Sequence, residues 1–359
     1  MVSKEVDTVA IDWDTPPVDP LTSLPQARDL GELGLDPAQR TQAHLLHERH
    51  GHAVYRLECG ARSFVLKWFG DPAPAVEVSN YALLQANGVP TLPVHGRTTN
   101  ALLLEDLSNS QDWRAAVETD VGYAETGVGV AGWYRALHAA GQSVVGSVSG
   151  PPHLRREMDG LDAQTVRELA QQLGNADDTL WALAADSIEP LKAAMCSLPE
   201  TLTYNDFHWT NLALTRHGSP ARRAIVFDYH LLGVGLAASD YRNVLPGLKG
   251  QAQAAFREAY GPIDARAALL DAPVALLYSL SVAVRRPRFP PWGERCLQSV
   301  RDGTFERSLR EALSVLEDRH AGRQGGSQDV PGVDPEQATR VRACAYRHRE
   351  GKPRWPAPR

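Results

Sequence analysis

Short alternating apolar and polar runs occupy the first third of the chain, and helical periodicity takes over beyond it. From about 42 to 68 the pattern is that of strands. Ala53-Val54-Tyr55-Arg56-Leu57 and Phe64-Val65-Leu66-Lys67-Trp68 flank the turn Cys59-Gly60-Ala61-Arg62, which predicts a β-hairpin. A helix is predicted from about Ala75 to Asn87, with Gly88 and Pro90 as its stop signals. Ala101-Leu102-Leu103-Leu104 reads as a buried strand running into Glu105-Asp106-Leu107. Further on, Val130, Trp133, Tyr134 and Leu137 fall at i, i+3, i+4 and i+7, a buried helical face. Helical patterns return over 162–197 and 251–320, the last presenting Phe305, Leu309, Leu313 and Leu316 on one side. The order predicts an α+β chain of two lobes, a small β-rich N-terminal lobe and a larger α-helical C-terminal lobe. Residues 1–35, rich in Pro and Asp, are expected to form a flexible arm, with 36–107 the first lobe and 108–320 the second. The Gly-, Pro- and Arg-rich stretch 321–359 is expected to be a disordered tail.

Composition narrows the class without naming a chemistry. With 359 residues, 43% hydrophobic and 22% charged, the chain can build two cores of ordinary globular make-up. A net charge of −6 gives no reason to expect a nucleic-acid partner. No apolar run is read as long enough to cross a bilayer, and the acidic, proline-rich start is unlike a secretory signal. Cys59, Cys196, Cys296 and Cys344 are scattered with no CxxC pair, so neither a disulfide framework nor a zinc site is expected, and a reducing cytoplasm fits best. The oligomeric state is not legible.

The chemistry concentrates in Tyr204-Asn205-Asp206-Phe207-His208-Trp209-Thr210-Asn211. An Asp followed by an Asn five positions on is the catalytic-loop spacing of kinases. Leu212-Ala213-Leu214-Thr215, a turn with Gly218-Ser219-Pro220, and Ala224-Ile225-Val226-Phe227 then predict a hairpin ending on Asp228. Asn211 enters its first strand and Asp228 leaves its second, so closing the hairpin sets the two side chains at one end. Two hard oxygen ligands so placed suit Mg²⁺. Asp206, one loop away, is positioned to accept the proton of a substrate hydroxyl attacking the γ-phosphate of ATP.

The loop resembles that of the aminoglycoside phosphotransferase and choline kinase family, usually written H-x-D-x-x-x-x-N, and Phe227-Asp228-Tyr229 resembles its metal-binding segment. Other matches fall in order. Val65-Leu66-Lys67 is similar to the strand whose Lys grips the α- and β-phosphates, and Glu77 to its partner on the following helix. Leu104-Glu105-Asp106-Leu107 resembles the hinge that receives adenine, which places Glu105 and Leu107 at the nucleotide. Ser239-Asp240-Tyr241 resembles the segment whose Asp braces the catalytic loop. The resemblance covers roughly 40–320 and implies the bilobal protein-kinase-like fold. Tyr204 departs from the usual His, a position the resemblance implies to be structural. The loop Arg49-His50-Gly51-His52 has one glycine where a glycine-rich phosphate cover is usual, leaving Gly51 as its candidate.

The resulting expectation is an ATP- and Mg²⁺-dependent kinase acting on a hydroxyl of a small molecule such as an aminoglycoside-like antibiotic, an amino alcohol or a sugar. Resistance and biosynthetic roles both stay open. Arg285-Arg286-Pro287-Arg288 and a balanced charge from Lys249 to His320 count against a polycationic acceptor. Two other classes compete: a Ser/Thr protein kinase, disfavoured because no A-P-E segment follows Asp228, and a non-catalytic kinase-like binding module, disfavoured because Lys67, Asp206, Asn211 and Asp228 are all present.

Overall fold

Strand β4 (Arg62–Phe69) shows how the first lobe is built. Phe64 and Leu66 belong to one apolar cluster and Val65 and Phe69 to another, because successive side chains leave a strand on opposite faces. A computed structural model of the chain describes residues 8–10, 27–36, 41–49, 51–70, 72–146, 153–175, 178–216 and 223–322. Among these, β1 (Thr8–Ala10), β2 (Thr41–Arg49), β3 (His52–Cys59), β4, β5 (Val94–Arg97) and β6 (Ala101–Glu105) form an antiparallel sheet in the order β1-β2-β3-β4-β6-β5. The expected hairpin is β3–β4, with Gly60 at φ 62° in its turn, a left-handed conformation that glycine adopts without strain. One face of the sheet is covered by α1 (Ala27–Glu32) and the turn after it, through Leu30 and Leu33. The other is covered by α2 (Pro72–Ala86), through Val78, Tyr81 and Leu84.

That arrangement corrects part of the expected flexible arm: 8–10 and 27–35 are built into the first lobe, and 1–7 and 11–26 lie outside the described residues. Thr8–Ala10 pairs with Gln42–His44, and Leu30 and Leu33 are buried to 0% and 1% exposure. Without them, Leu57 and Leu66 on that face of the sheet would meet water, at a cost of about 25 cal/mol per Å² of apolar surface. The helix expected from Ala75 begins three residues earlier, at Pro72, since proline is accommodated in a first helical turn.

The second lobe carries α3 (Ala124–Val145), α4 (Ala163–Gln172), α5 (Thr179–Cys196), α6 (Ala237–Val244), α7 (Gly250–Tyr260), α8 (Ala265–Val284), α9 (Pro291–Arg301) and α10 (Thr304–Gly322). Short strands β7 (Trp113–Ala115), β8 (Thr201–Thr203), β9 (Leu212–Thr215), β10 (Ala224–Val226) and β11 (Gly233–Gly235) lie between the helices and the first lobe. The expected hairpin is β9–β10, with Leu212 opposite Val226; its Gly218-Ser219-Pro220 turn lies outside the described residues, as do His50 and nearly all of the 321–359 stretch. Helix α3 lies close on β8 because position 141 is glycine: a Cβ there would stand 2.2 Å from the Leu202 nitrogen. A single apolar cluster runs from Tyr81 and Leu84 of α2 to Trp133 and Tyr134 of α3, Tyr204 and Tyr229, so the two lobes share one core. The chain is therefore the two-lobed α+β architecture expected.

One composition-based expectation needs correction. Helix α8 is long and apolar enough to cross a membrane, with a mean hydropathy of 1.8. Its most apolar window is 72% buried within the fold, and Asp271 inside it is buried and ion-paired with Arg242, so it is the core helix of the second lobe. Among the described residues, Cys59 is a buried and Cys196 an exposed free thiol.

Candidate active site

Lys67 shares a face of β4 with Val65 and Phe69, the face α2 covers, so its ammonium points at the helix. Its Nζ donates to Glu77 Oε1 at 2.7 Å and Oε2 at 2.8 Å, and to Asp228 Oδ1 at 2.8 Å. Glu77 is 1% exposed and lies on the same helix face as Tyr81 and Leu84, so its carboxylate is turned to Lys67 and away from solvent. Burial disfavours the Lys67 charge, but Asp228 and Glu77 outweigh it and hold the amine above its ordinary pKa. Helix α2 also fixes the segment after β10: Glu77 Oε1 accepts from Tyr229 N at 3.2 Å, and Asn80 Nδ2 donates to Tyr229 O at 2.8 Å.

The loop after β8 is held from beneath. Asp240, fully buried on α6, accepts from Tyr204 N at 2.9 and 3.1 Å and from Asn205 N at 3.0 Å. His138 Nε2 lies 3.1 Å from the same carboxylate, with Nδ1 2.8 Å from the Tyr260 hydroxyl. A proton on Nε2 satisfies both contacts, with His138 donating to Asp240 and accepting from Tyr260. Tyr204, the departure from the usual His, is buried and structural: its hydroxyl donates to Phe227 O at 2.6 Å and accepts from Asn211 Nδ2 at 3.0 Å. Asn211 Nδ2 also donates to Asp206 Oδ2 at 3.0 Å, and Asn211 O accepts from Phe227 N at 2.9 Å. Asp206, Asn211, Asp228 and Lys67 thus converge where the lobes meet. Asn205 and Asp228 are the two non-glycine residues with positive φ among those described, at 63° and 74°; such strain collects at functional sites.

The spacing argument missed His230. Its Nδ1 lies 3.2 Å from Asp228 Oδ1, and ligating atoms of Asp206, Asp228 and His230 all lie within 4.8 Å of one another. Burial opposes a charge on this imidazole, but Asp228, Asp206 and Glu77 raise its pKa above the ordinary value. Three carboxylates (Glu77, Asp206 and Asp228) surround one ammonium here. A divalent cation would compensate the excess negative charge, and the carboxylate oxygens with Asn211 Oδ1 are the donor types Mg²⁺ selects. Asn211 presents its Nδ2 to Asp206, which leaves Oδ1 as the atom of that amide able to ligate a metal.

The remaining sequence candidates lie around this cluster. Gly51, at φ 76°, forms the tight β2–β3 turn, and its carbonyl accepts from Gly70 N at 2.8 Å. Beside it His52 is held neutral, its pKa lowered to about 4 by burial and then by Lys67. Glu105 ends β6 with its carboxylate 2.7 Å from His95 Nε2. Leu107 is buried among Leu92, Ala213, Ile225 and Phe227, at the passage between lobes. Asp106 between them, not singled out by the sequence, pins the hinge by accepting from Arg56 Nε at 2.9 Å and Ser63 Oγ at 2.8 Å.

Near the loop, Glu157 is displaced in the opposite sense from a paired carboxylate. Burial, opposed by Arg242 and reinforced by Asp271 and Asp240, raises its pKa from 4.5 to about 7. A folded pKa above the unfolded one contributes stability below pH 4.5 that is lost as pH rises through 7. The linkage is worth about 2–3 kcal/mol. Glu157→Gln should therefore raise the unfolding midpoint at pH 8 and leave it near wild type at pH 4.5, measured by denaturant titration at both values.

No protein-family model matches the chain, and no curated protein matches it in sequence. Solved structures do resemble it. One is a choline/ethanolamine kinase family protein from Mesorhizobium loti, at 13% identity over 84% of this chain and 92% of that one, with a TM-score of 0.45. Another is a spectinomycin phosphotransferase in complex with ADP and spectinomycin, at 12% identity over 87% and 94%, with a TM-score of 0.44. A third is a macrolide 2′-phosphotransferase from Brachybacterium faecium, at 13% identity over 83% and 95%, with a TM-score of 0.44. The chain is similar to these proteins in its two-lobed fold.

Proposed function

We propose that the chain is an ATP- and Mg²⁺-dependent phosphotransferase that delivers the γ-phosphate to a hydroxyl of a small molecule. The observation that carries this reading is the meeting of Lys67 from the first lobe with Asp206, Asn211 and Asp228 from the second, across one cleft. Lys67, held by Glu77, would bind the α- and β-phosphates. Glu105 and Leu107 at the hinge would border the adenine, and Gly51 the phosphates. Asp228 and Asn211 Oδ1 would hold Mg²⁺, which when bound supplies charge neutralisation on the phosphates. Asp206 would orient the acceptor hydroxyl and take its proton. Phosphoryl transfer asks little covalent chemistry of a protein, so positioning and fixed charge supply most of the acceleration.

Measuring ADP release with amino alcohols, aminoglycosides and sugars as acceptors tests this. At least one class should raise the rate about tenfold or more over the acceptor-free rate. A chain that releases no ADP with any of them and does not bind MgATP would be a binding module instead.

A further inference from the structure

Between the lobes the chain runs through an irregular turn, 106–112, whose carbonyl groups converge on one side chain. Arg216 Nε donates to Ser110 O at 2.7 Å and to Trp113 O at 3.0 Å. Its Nη2 donates to Leu107 O at 3.0 Å and to Ser108 O at 3.3 Å. Its backbone N donates to Asp112 O at 2.8 Å. No carboxylate pairs with Arg216 among the described residues, so this half-buried charge is directed at main-chain dipoles. Such a fork needs arginine. The planar guanidinium holds its N–H groups in fixed directions, whereas a lysine ammonium is a point charge on a flexible stem.

Arg216 directly follows β9, the strand that Asn211 leads into, and β9 pairs with β7 so that Thr215 lies opposite Trp113. Leu107 shares a buried cluster with Ala213 of β9, Ile225 of β10 and Phe227, the residue before Asp228. From the first lobe, Arg56 of β3 reaches the same turn, Nε donating to Asp106 Oδ2 at 2.9 Å and Nη2 to Ser108 Oγ at 2.8 Å. One guanidinium from each lobe thus grips the turn, and the hairpin flanked by Asn211 and Asp228 also supports the hinge. Main-chain carbonyls in an irregular turn need partners, and one rigid side chain that supplies them fixes the turn's shape before a ligand arrives. We propose that Arg216 is a positioning residue for the nucleotide: by holding Leu107 and Ser108 through their carbonyls, it presets the hinge edge that receives a purine base and sets that edge's distance from the phosphate site on the same hairpin. The inference rests on the phosphotransferase reading and adds to it a side chain whose bonds all go to the turn. A turn left loose would have to be ordered by the base itself, which weakens binding of the base and not of the phosphates.

Calorimetric titrations of the full chain with MgATP and with magnesium tripolyphosphate, which presents phosphates without a base, test this in wild type and Arg216→Lys. Wild type is expected to bind MgATP more tightly than tripolyphosphate. Arg216→Lys should lower MgATP affinity about tenfold, the scale of one lost charge-assisted hydrogen bond, and leave tripolyphosphate affinity within about twofold. Arg216→Gln, neutral and with a single amide donor group, should show the same base-selective loss and serves if the lysine variant does not fold. An arginine that only supports the fold would weaken both ligands together or neither. Parallel loss of both in a folded variant, or undiminished MgATP binding, therefore overturns the proposal. Wild type that binds neither ligand would instead refute the phosphotransferase reading itself. Tight wild-type binding with no base-selective loss in the variants sinks only the role given to Arg216.

Discussion

Asp206→Asn is expected to lower acceptor-stimulated ADP release by about 10²- to 10⁴-fold, the range general-base catalysis contributes. The substitution removes the basic oxygen and keeps the shape. Asp206 accepts from Asn211 Nδ2, a bond an asparagine carbonyl can still accept, so the loop should keep its form. Lys67 binds Glu77 and Asp228 and not Asp206, so nucleotide affinity should stay within a few-fold of wild type. Lost turnover with retained MgATP binding separates a proton-accepting Asp206 from a merely structural one. Unchanged turnover would remove it from the mechanism.

Asp240→Asn should produce the largest loss of stability. The carboxylate accepts from Tyr204 N, Asn205 N and His138 Nε2 in a position with no access to water. An amide there turns one accepting oxygen into a donor facing other donors, leaving at least one buried N–H unmet. The cost should be about 3 kcal/mol in chemical denaturation, with turnover falling as well because Asn205 and Asp206 lose their anchor. A midpoint within experimental error of wild type would show that the loop is held by other means.

The local parts of this arrangement were legible in the sequence because they rest on short spacings. Five positions from Asp206 to Asn211, and a hairpin from Leu212 to Val226, suffice to bring Asn211 and Asp228 together. Strand alternation likewise put Lys67 on the face of Val65. The i, i+4, i+7 relation of Glu77 to Tyr81 and Leu84 also marks it on the buried face of its helix. Other features depend on contacts between distant segments. Leu30 and Leu33 sit in a stretch whose Pro and Asp content suggested an arm, and only the bare face of the sheet gives them a place. His230 joins the carboxylates because Asp228 adopts a left-handed conformation, which a sequence does not announce.

Calorimetric titration of ATP into wild type and Asp228→Asn, each with and without Mg²⁺, reaches the core of the account. The asparagine can still accept from Lys67 but carries no charge to hold a cation. The expected result is Mg²⁺-enhanced ATP binding in wild type, weakened at least tenfold by Asp228→Asn when Mg²⁺ is present and little changed when it is absent. ATP binding that ignores Mg²⁺, or that survives Asp228→Asn at full strength with Mg²⁺, would contradict it.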